Sequence, residues 1–338
     1  MKTSDFSFNL PRELIAQRPL ENRTDSRLLI LDKTDSSICH KYVKNLPEIL
    51  DRDSVIVFNN SKVIKSRIFG FSNTGGKVEF LLIEKIDGPF WKVIVSKAKK
   101  QKIGKLFLFP GNVTATVIDG SGIQKIVKFD TCITDEYLEL YGHLPLPPYI
   151  KRPDTEEDAE RYQTVFSGVK SSIAAPTAGL HFTPELLNTL RDCTMQLYFI
   201  TLHVGLGTFL PIRSRIVEKH IMHEEEYEIP AETEAAISRA KQSGKKILAV
   251  GTTTVRALES AWEHGAVRSG KRKTSLFISP GYRFKVVDQL FTNFHTSRST
   301  LLVLVSAFAG KDLIDRAYQA AIEKKYRFFS YGDAMLIK

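Results

Sequence analysis

The chain of 338 residues is long enough for two domains, carries a net charge of +10 and has a hydrophobic content of 43%, which is ordinary for a globular protein. No apolar run approaches the roughly 18 residues needed to cross a bilayer, and the first residues lack the apolar core of a signal peptide, so a cytoplasmic protein without membrane contact is expected. The three cysteines are odd in number and widely spaced, which argues against a disulfide framework and a cysteine-based metal site.

Two strands and an arginine-containing loop are predicted near the start of the chain. The loop carries Arg18, Arg23 and Arg27 ahead of a strand at 28–31. Three guanidinium groups suit a carboxylate or a phosphate, although a charged loop before a strand is also common. The second strand, 55–58, ends in the polar Asn59-Asn60-Ser61-Lys62, which turn formation explains about as well as ligand contact does.

A small β domain is predicted next. From Val63 to about Phe129 the chain shows short β-rich runs separated by Gly, Asp or Asn turns, which is typical of an antiparallel barrel or sandwich. Because strand–helix alternation resumes afterwards, we interpret 63–144 as an inserted β-barrel domain and 1–62 with 145–338 as one discontinuous α/β domain. Residues 61–130 hold thirteen Lys and Arg against five Asp and Glu, a local net charge of +8. This segregation is typical of a polyanion-binding surface, although lysines also solvate ordinary β domains.

A strand–loop–helix–strand–loop unit follows. A short strand at 172–175 leads into a loop, and Thr183 with Pro184 predicts a helix from Pro184 to about Asp192, with Thr183 as its N-cap. The apolar run 195–202 predicts a buried strand. The loop 203–209 then leaves this strand with two glycines, which let backbone N–H groups approach a ligand closely.

The C-terminal third continues this alternation. It predicts a helix at 231–242, a strand at 247–250, a polar loop at 251–254, a helix at 255–262 and a mobile basic loop at 268–273. Five loops of the main domain present Gly, Thr or Ser, His and Asn after candidate strands. The chain is therefore predicted to be α/β, with a distorted α/β barrel-like main domain whose active site lies at the carboxyl ends of its strands.

Several common chemistries have no motif in the sequence. No Walker loop, no Gly-x-Gly-x-x-Gly after a strand and no Gly-x-Ser-x-Gly elbow is present. His220, His223 and Glu224 suggest a zinc site but lack the His-Glu-x-x-His spacing. His181, His203 and His295 are better acid–base candidates because each follows or ends a strand, although a single histidine there is more often simply hydrogen-bonded.

Several motifs distributed over the whole chain are similar to one family. They are Asp5-Phe6 with Leu10-Pro11, Ile15 to Pro19, Ser26 to Leu29, His143 to Ile150, Arg161 to Val165, Ala175 to Thr183, Thr201 to Gly205, Ala249 to Thr253 and Arg327 to Leu336. Together they resemble the S-adenosylmethionine:tRNA ribosyltransferase-isomerases of queuosine biosynthesis. The sequence departs from the family pattern at Asn60-Ser61-Lys62, where Asp-Thr-Arg is expected, and at Thr296-Ser297-Arg298, where Leu-Pro-Lys is expected.

The resemblance implies transfer of the ribosyl part of S-adenosylmethionine to 7-aminomethyl-7-deazaguanine at the wobble position of a tRNA anticodon. The products are epoxyqueuosine in tRNA, adenine and methionine. S-adenosylmethionine is then a consumed substrate, and neither a cofactor nor a metal is expected. Such chemistry needs a base for the C5′ protons beside the sulfonium and an acid for the departing adenine. A monomer is expected.

The resemblance also suggests roles for individual residues. His181 and His203 are the predicted acid–base residues, with His295 as a third candidate. The predicted S-adenosylmethionine pocket, with Arg256 near the methionine carboxylate, is formed by Thr177, Gly179, Gly205, Gly207, Thr252, Thr253 and Arg256. The lysines predicted to bind the tRNA backbone are Lys97, Lys99, Lys100 and Lys102.

Without the resemblance, two other functions fit. One is a metal-dependent hydrolase of a phosphorylated small molecule, with His220, His223 and Glu224 as ligands. The other is a non-catalytic RNA-binding protein, which would use the basic β insertion but leaves the polar strand-end loops unexplained.

Overall fold

A computed structural model describes residues 1–205 and 211–338, and of Ser171 the backbone alone. The chain divides into two compact units. The main unit comprises Met1–Lys62, Pro147–Pro153 and Glu160–Lys338, and the barrel unit comprises Val63–Leu146 and Asp154–Ala159. Of the helices described, none has the length and apolar character to cross a membrane.

The strands and helices are numbered along the chain. The strands are β1 (Arg27–Leu31), β2 (Ile38–Tyr42), β3 (Val55–Asn59), β4 (Ser61–Val63), β5 (Arg67–Ser72), β6 (Lys77–Asp87), β7 (Phe90–Val95), β8 (Leu106–Phe109), β9 (Val113–Asp119), β10 (Gln124–Phe129), β11 (Val169–Ser172), β12 (Gln196–Leu202), β13 (Glu225–Ile229), β14 (Ile247–Val250), β15 (Trp262–Glu263), β16 (Ala266–Val267), β17 (Gly270–Thr274), β18 (Gln289–Asn293) and β19 (Ala334–Ile337). The α-helices are α1 (Leu46–Ile49), α2 (Asp135–Tyr141), α3 (Glu156–Arg161), α4 (Pro184–Asp192), α5 (Ala231–Gln242), α6 (Thr252–Ser260), α7 (Thr300–Ala309) and α8 (Lys311–Glu323).

The barrel unit contains a closed antiparallel barrel with the strand order β10-β7-β6-β5-β8-β9. Buried residues alternate with partly buried or exposed ones along β7, β8 and β9, as expected for strands with one face in a core. The core contains Phe80, whose ring lies 4.9 Å from that of Phe107 and 5.0 Å from that of Phe109. A side chain at Gly70 would come within 2.7 Å of the Phe109 ring, so this strand position requires glycine.

The main unit contains a nine-stranded mixed sheet with the order β17-β13-β12-β3-β14-β18-β19-β1-β2. The four central strands β12, β3, β14 and β18 are mutually parallel, so their carboxyl ends lie at one edge of the sheet. Both faces of the sheet are buried. Val55 and Val57 of β3 face one hydrophobic core with α5, α6, α7 and α8, whereas Ile56 and Phe58 face a second core with α1 and α4.

The predicted α/β class and the inserted antiparallel barrel are confirmed. The barrel-like main domain is refined to a sheet that has β17 and β2 as its two edges within the described residues. The helix Pro184–Asp192 is also confirmed, and the Thr183 hydroxyl accepts from Leu186 N at 3.2 Å as its N-cap.

Three local predictions are wrong. The threonines after Gly251 are not a loop, because α6 already begins at Thr252. The basic segment 268–273 is not a mobile loop, because Gly270–Thr274 forms β17 and pairs with β13. The short strand predicted at 172–175 lies earlier, at Val169–Ser172.

Candidate active site

Polar residues collect where the central parallel strands end. His203 follows β12, Asn59 ends β3, Gly251 follows β14 and Asn293 ends β18. A 3₁₀ turn at Thr177–His181 lies beside the end of β18 and carries two further polar side chains. These polar groups therefore lie at the carboxyl ends of the parallel strands, which is where the sequence predicts the active site.

A cavity opens at this edge. Four of the predicted site residues, Thr177, Thr252, Thr253 and His295, line it together. The remaining lining residues are Ala175, Pro176, Ala178, Val204, Gly251, Thr292, Asn293 and Leu301. Threonine hydroxyls, an amide and an imidazole on an apolar wall form a surface suited to a polar organic ligand.

Asn293 is the central polar group of the cavity, and it was not among the predicted site residues. Its amide nitrogen donates to Phe329 O at 3.2 Å and contacts His181 Nε2 at 3.1 Å, while its oxygen accepts from the Thr177 hydroxyl at 3.0 Å. Because the Phe329 carbonyl can only accept, the amide orientation is fixed and His181 Nε2 must accept as well. The sequence signal for Asn293 was its place at the end of an apolar run, directly before Phe294 and His295.

His181 is buried and neutral. Only 4% of the residue is exposed. Burial, with help from the charges of Arg23 and Arg327, lowers the pKa of His181 to about 3. A ring in this state orients Asn293 but is a poor proton carrier at neutral pH.

His295 also has a buried ring, but it lines the cavity. Its Nε2 lies 2.9 Å from the Thr292 hydroxyl, and its backbone N donates to the Tyr318 hydroxyl at 2.7 Å. Burial lowers the pKa of His295 to about 3. The ring can therefore offer a hydrogen bond to a ligand, whereas it is not a ready proton source near neutral pH.

His203 differs from the other two histidines because it is only half-buried. Its backbone N donates to Glu226 O at 2.9 Å, which fixes the chain where it leaves β12. Burial lowers the pKa of His203, against the opposite effect of the carboxylates of Glu226 and Glu228. A neutral, partly accessible imidazole is the form that a general base requires.

The first turn of α6 is joined to the neighbouring strands. Gly251 has a φ of 91°, a left-handed value that favours glycine and lets the helix start directly after β14. The Asn59 amide donates to Leu202 O at 3.0 Å and reaches the Thr253 hydroxyl at 3.4 Å. The adjoining Asn60 accepts from the Thr201 hydroxyl at 2.7 Å. Both asparagines thus connect strand ends.

A buried ion pair contacts the segment that follows β12, at Gly205. Glu225 accepts from Gly205 N at 3.0 Å and also forms an ion pair with Arg256. The side chains are 5% and 3% exposed. Arg256, predicted to lie near the methionine carboxylate of the substrate, thus already has a carboxylate partner within the chain.

The two other predicted glycines have different outcomes. A side chain at Gly179 would come within 2.8 Å of Thr164 and 2.9 Å of Phe166, so close packing explains this glycine. Gly179 does not line the cavity. Gly207 lies outside the described residues.

The four predicted tRNA-binding lysines lie on one short segment of the barrel unit. Lys97, Lys99, Lys100 and Lys102 are all exposed and surround a 3₁₀ turn at Ala98–Lys100 between β7 and β8. The buried Gln101 anchors this segment, since its amide donates to Ser96 O and Lys97 O, each at 3.3 Å. The backbone that carries the four exposed lysines is therefore held in place by the hydrogen bonds of Gln101.

The histidines of the alternative metal site have other surroundings. The His220 ring packs edge-on against Phe277 at 5.4 Å, and Glu224 forms an ion pair with Lys273 at 3.1 Å. In the part of the chain that the structure describes, no group of three or more His, Cys, Asp or Glu side chains is placed to hold a metal ion.

These features define an α/β enzyme with an additional basic β-barrel, and comparison with known proteins gives its family. Residues 3–337 match the family described as queuosine biosynthesis protein. The chain belongs to this family.

Its relatives share one name. A protein of Treponema denticola is 51% identical over the whole of both chains, and one of Natranaerobius thermophilus is 48% identical with the same coverage. Both are called S-adenosylmethionine:tRNA ribosyltransferase-isomerase. A crystal structure of S-adenosylmethionine tRNA ribosyltransferase from Thermotoga maritima is 35% identical, covers 99% of this chain and 100% of its own, and has a TM-score of 0.57.

Proposed function

We propose that this chain is an S-adenosylmethionine:tRNA ribosyltransferase-isomerase, a transferase. It moves and isomerises the ribosyl part of S-adenosylmethionine onto 7-aminomethyl-7-deazaguanine in the wobble position of tRNA, which gives epoxyqueuosine and releases adenine and methionine. The observation that carries the proposal is the identity of 47–51% with relatives of this name, over the full length of the chain.

The cavity at the strand ends is the proposed S-adenosylmethionine site. The substrate is consumed, so no cofactor is required. The hydroxyls of Thr177, Thr252 and Thr253 and the amide of Asn293 supply hydrogen bonds for a ribose and a purine. The backbone N–H groups in the first turn of α6 add partial positive charge where polar substrate atoms would lie.

His203 is the proposed general base. The C5′ protons beside the sulfonium must be removed, and a half-buried imidazole with a lowered pKa is unprotonated at neutral pH. His295, which lines the cavity, is proposed to hydrogen-bond the substrate. His181 acts through Asn293 and is therefore a positioning residue rather than a proton carrier.

The lysine segment of the barrel unit is the proposed contact for the tRNA backbone. Lys97, Lys99, Lys100 and Lys102 are exposed, and electrostatic attraction to phosphates needs no further order in the side chains. The substrate tRNA must carry the aminomethyl deazaguanine, because its free amine is the nucleophile. The chain is proposed to act as a monomer.

Release of free adenine tests the function directly. The chain is incubated with S-adenosylmethionine and tRNA that carries 7-aminomethyl-7-deazaguanine, and adenine and methionine are measured by chromatography. Adenine should form in a 1:1 ratio to modified tRNA and should be absent with tRNA that carries guanine at the wobble position. Binding of the modified tRNA without adenine release would instead favour the non-catalytic RNA-binding alternative, and metal-stimulated phosphate release from small phosphate esters would favour the hydrolase.

A further inference from the structure

An apolar patch is exposed on the outer face of the barrel unit. Phe71 of β5 and Leu106 and Leu108 of β8 are 45%, 51% and 50% exposed. Phe71 lies opposite Leu108 in the antiparallel pair of β5 and β8, and Leu106 lies two residues along on the same face. The alternate residues of β8, Phe107 and Phe109, fill the barrel core instead. Large apolar side chains grouped in this way at a surface indicate a binding surface.

The patch is part of a row of side chains that crosses four strands. Lys77 of β6 pairs with Phe71. Leu108 pairs with Phe71 on one side and with Thr114 of β9 on the other. Because neighbouring strands are about 4.8 Å apart, the row is about 14 Å long. It places a cation, an aromatic ring, an aliphatic side chain and a hydroxyl next to one another, and these groups suit the phosphate, base and sugar of a nucleotide.

The cation of this row is held in place by a second aromatic ring. The Lys77 ammonium lies 4.0 Å from the centroid of the Phe69 ring, a cation–π contact. The Phe69 ring also packs edge-to-face against His143, with 5.1 Å between the ring centroids. Because a cation–π contact orients the ammonium without neutralising it, the charge of Lys77 remains available to a phosphate. Phe69 is thus used within the barrel unit, whereas nearly half of Phe71 is accessible to a ligand.

Two carboxylates beside the patch have partners within the chain. Glu79 of β6 forms an ion pair with Arg67 of β5 at 3.0 Å, so its charge is balanced. Asp130 accepts from the Thr114 hydroxyl at 2.9 Å and from the Thr114 backbone N at 3.0 Å. Around these groups, residues 61–130 have a net charge of +8. The charge of this surface therefore favours an anionic ligand.

A second copy of the chain fits this patch less well than RNA does. A two-fold pairing of the patch would place the lysines of one copy against those of the other, and like charges that face each other oppose association. Three half-exposed side chains also supply much less than the roughly 800 Å² per partner of a stable protein interface. Single-stranded RNA supplies both phosphates for the lysines and flat bases for the aromatic ring.

We propose that the patch of Phe71, Leu106 and Leu108 binds an unpaired base of the tRNA, which stacks on the Phe71 ring. Lys77 contacts an adjacent phosphate. The inference rests on the proposed function, which supplies tRNA as the partner, and deepens it by assigning a base contact beside the backbone contacts of the lysine segment. Lys102 of that segment lies four residues before Leu106, at most about 14 Å away, so one single-stranded stretch can reach both.

Binding of two RNA ligands to the full chain tests the proposal. One is the anticodon stem–loop of a substrate tRNA, which has an unpaired loop, and the other is a blunt-ended RNA duplex of equal length. Fluorescence anisotropy is measured without S-adenosylmethionine, so no turnover is involved. F71A should weaken stem–loop binding about fivefold or more, as expected for one lost stacking contact, and should leave duplex binding unchanged. F71W should restore stem–loop binding because it keeps an aromatic face.

Salt dependence separates stacking from charge. F71A should keep the wild-type slope of log affinity against log salt concentration, because it removes no ionic contact. K77Q should decrease the magnitude of this slope by about one unit. F71L keeps an apolar side chain without an aromatic face and should bind the stem–loop as weakly as F71A.

Y42A is the matched control. Tyr42 on β2 of the main unit is 46% exposed, and Lys44 lies over its ring at 5.2 Å from the centroid. It therefore combines a similarly exposed aromatic ring with a neighbouring lysine, outside the patch. Y42A should keep the stem–loop affinity within about twofold of wild type.

The proposal is overturned if F71A, folded as judged by circular dichroism, keeps the wild-type affinity for the stem–loop, or if F71A and Y42A lower it equally. Should F71A not fold, F71L takes its place, and wild-type affinity in F71L would show that an aromatic face is not needed. A wild-type dimer in sedimentation velocity that F71A converts to a monomer, with unchanged RNA affinity, would assign the patch to self-association. Loss of stem–loop binding in F71A without adenine release by wild type would refute the proposed reaction and support the base contact.

Discussion

Asn293 and His181 form a hydrogen-bonded pair across 3.1 Å, although 112 residues separate them in the sequence. The pair connects the end of β18 to the turn at Thr177–His181. Because the Phe329 carbonyl fixes the amide of Asn293, the imidazole of His181 is held as an acceptor at Nε2. The position of the cavity wall therefore depends on the neutral state of a buried histidine.

Replacing Asn293 by Asp should change the protonation of His181. A carboxylate would present an oxygen to Nε2 where the amide presented a donor, and the pKa of His181 should rise because the imidazolium gains an opposite charge. Adenine release should fall by roughly 10-fold or more, since a single lost hydrogen bond with a misplaced charge costs over a kcal/mol. The titration is followed by NMR of the His181 ring.

The control is N188D, on the exposed side of α4. It should leave both the His181 titration and turnover unchanged. If His181 in N293D still resists protonation to below pH 4, the hydrogen bond between the two side chains does not control the ring.

Replacing His203 by Ala should lower the turnover number by roughly 10²- to 10⁴-fold if His203 is the general base. In wild type, activity should decline as the pH falls through the lowered pKa of His203, because the protonated ring cannot accept the C5′ proton. H203A should lose this acidic limb. The exposed His223 provides the control H223A, and a loss below threefold in folded H203A would refute the assignment.

Two buried neutral histidines make stability sensitive to acid. The pKa of both His181 and His295 is about 3 in the folded state, against the ordinary value of 6.5. Between these two pH values, both histidines are protonated in the unfolded chain but not in the folded chain. The free energy of unfolding should therefore decrease as the pH falls from about 6.5 towards 3. Each histidine contributes at most about 1.4 kcal/mol per pH unit.

Urea unfolding at pH 7, 6 and 5 measures this decrease. H295Q, which keeps a polar group near the position of Nε2, should reduce the slope of stability against pH, whereas H223Q should not. Equal slopes for wild type and H295Q would show that His295 titrates normally in the folded chain.

Local signals in the sequence predict the helices and strands around the site better than the side-chain contacts within it. Thr183 and Pro184 specify the start of α4 through capping and a preset φ, which act over a few residues. Three consecutive β-branched threonines disfavour a helix, so the sequence predicts a start of α6 later than Thr252, where the helix begins. The positive φ of Gly251 that allows this start is a tertiary feature.

The roles of the histidines depended on information that one sequence does not contain. All three candidates follow or end strands, yet burial separates His181 and His295 from the half-buried His203. Burial is set by distant packing, such as that of the Phe291 ring against His181 at 5.7 Å. For the same reason, Glu225 as the partner of Arg256 could not be found from spacing.

The buried Glu225–Arg256 pair should stabilise the fold only as a pair. R256M leaves a buried carboxylate without its cation and should destabilise the chain by about 3–5 kcal/mol, whereas the double variant E225L/R256M should recover part of this loss. Chemical denaturation of both single variants and the double variant gives the coupling energy. The exposed pair Lys273–Glu224 is the control, and K273M should cost below about 1 kcal/mol.

Charge reversal on the barrel unit should weaken tRNA binding without affecting the small substrate. In K99E and K100E, the Michaelis constant for tRNA should rise and that for S-adenosylmethionine should stay the same, because the lysines are exposed and their proposed partners are phosphates. In a plot of log affinity for tRNA against log salt concentration, the slope should decrease in magnitude by about one unit for each phosphate contact removed.

K219E makes the same change of charge on an exposed lysine of the main unit and should keep the wild-type slope. A uniform effect of all three variants on tRNA affinity would show that net charge, rather than this lysine segment, attracts the tRNA.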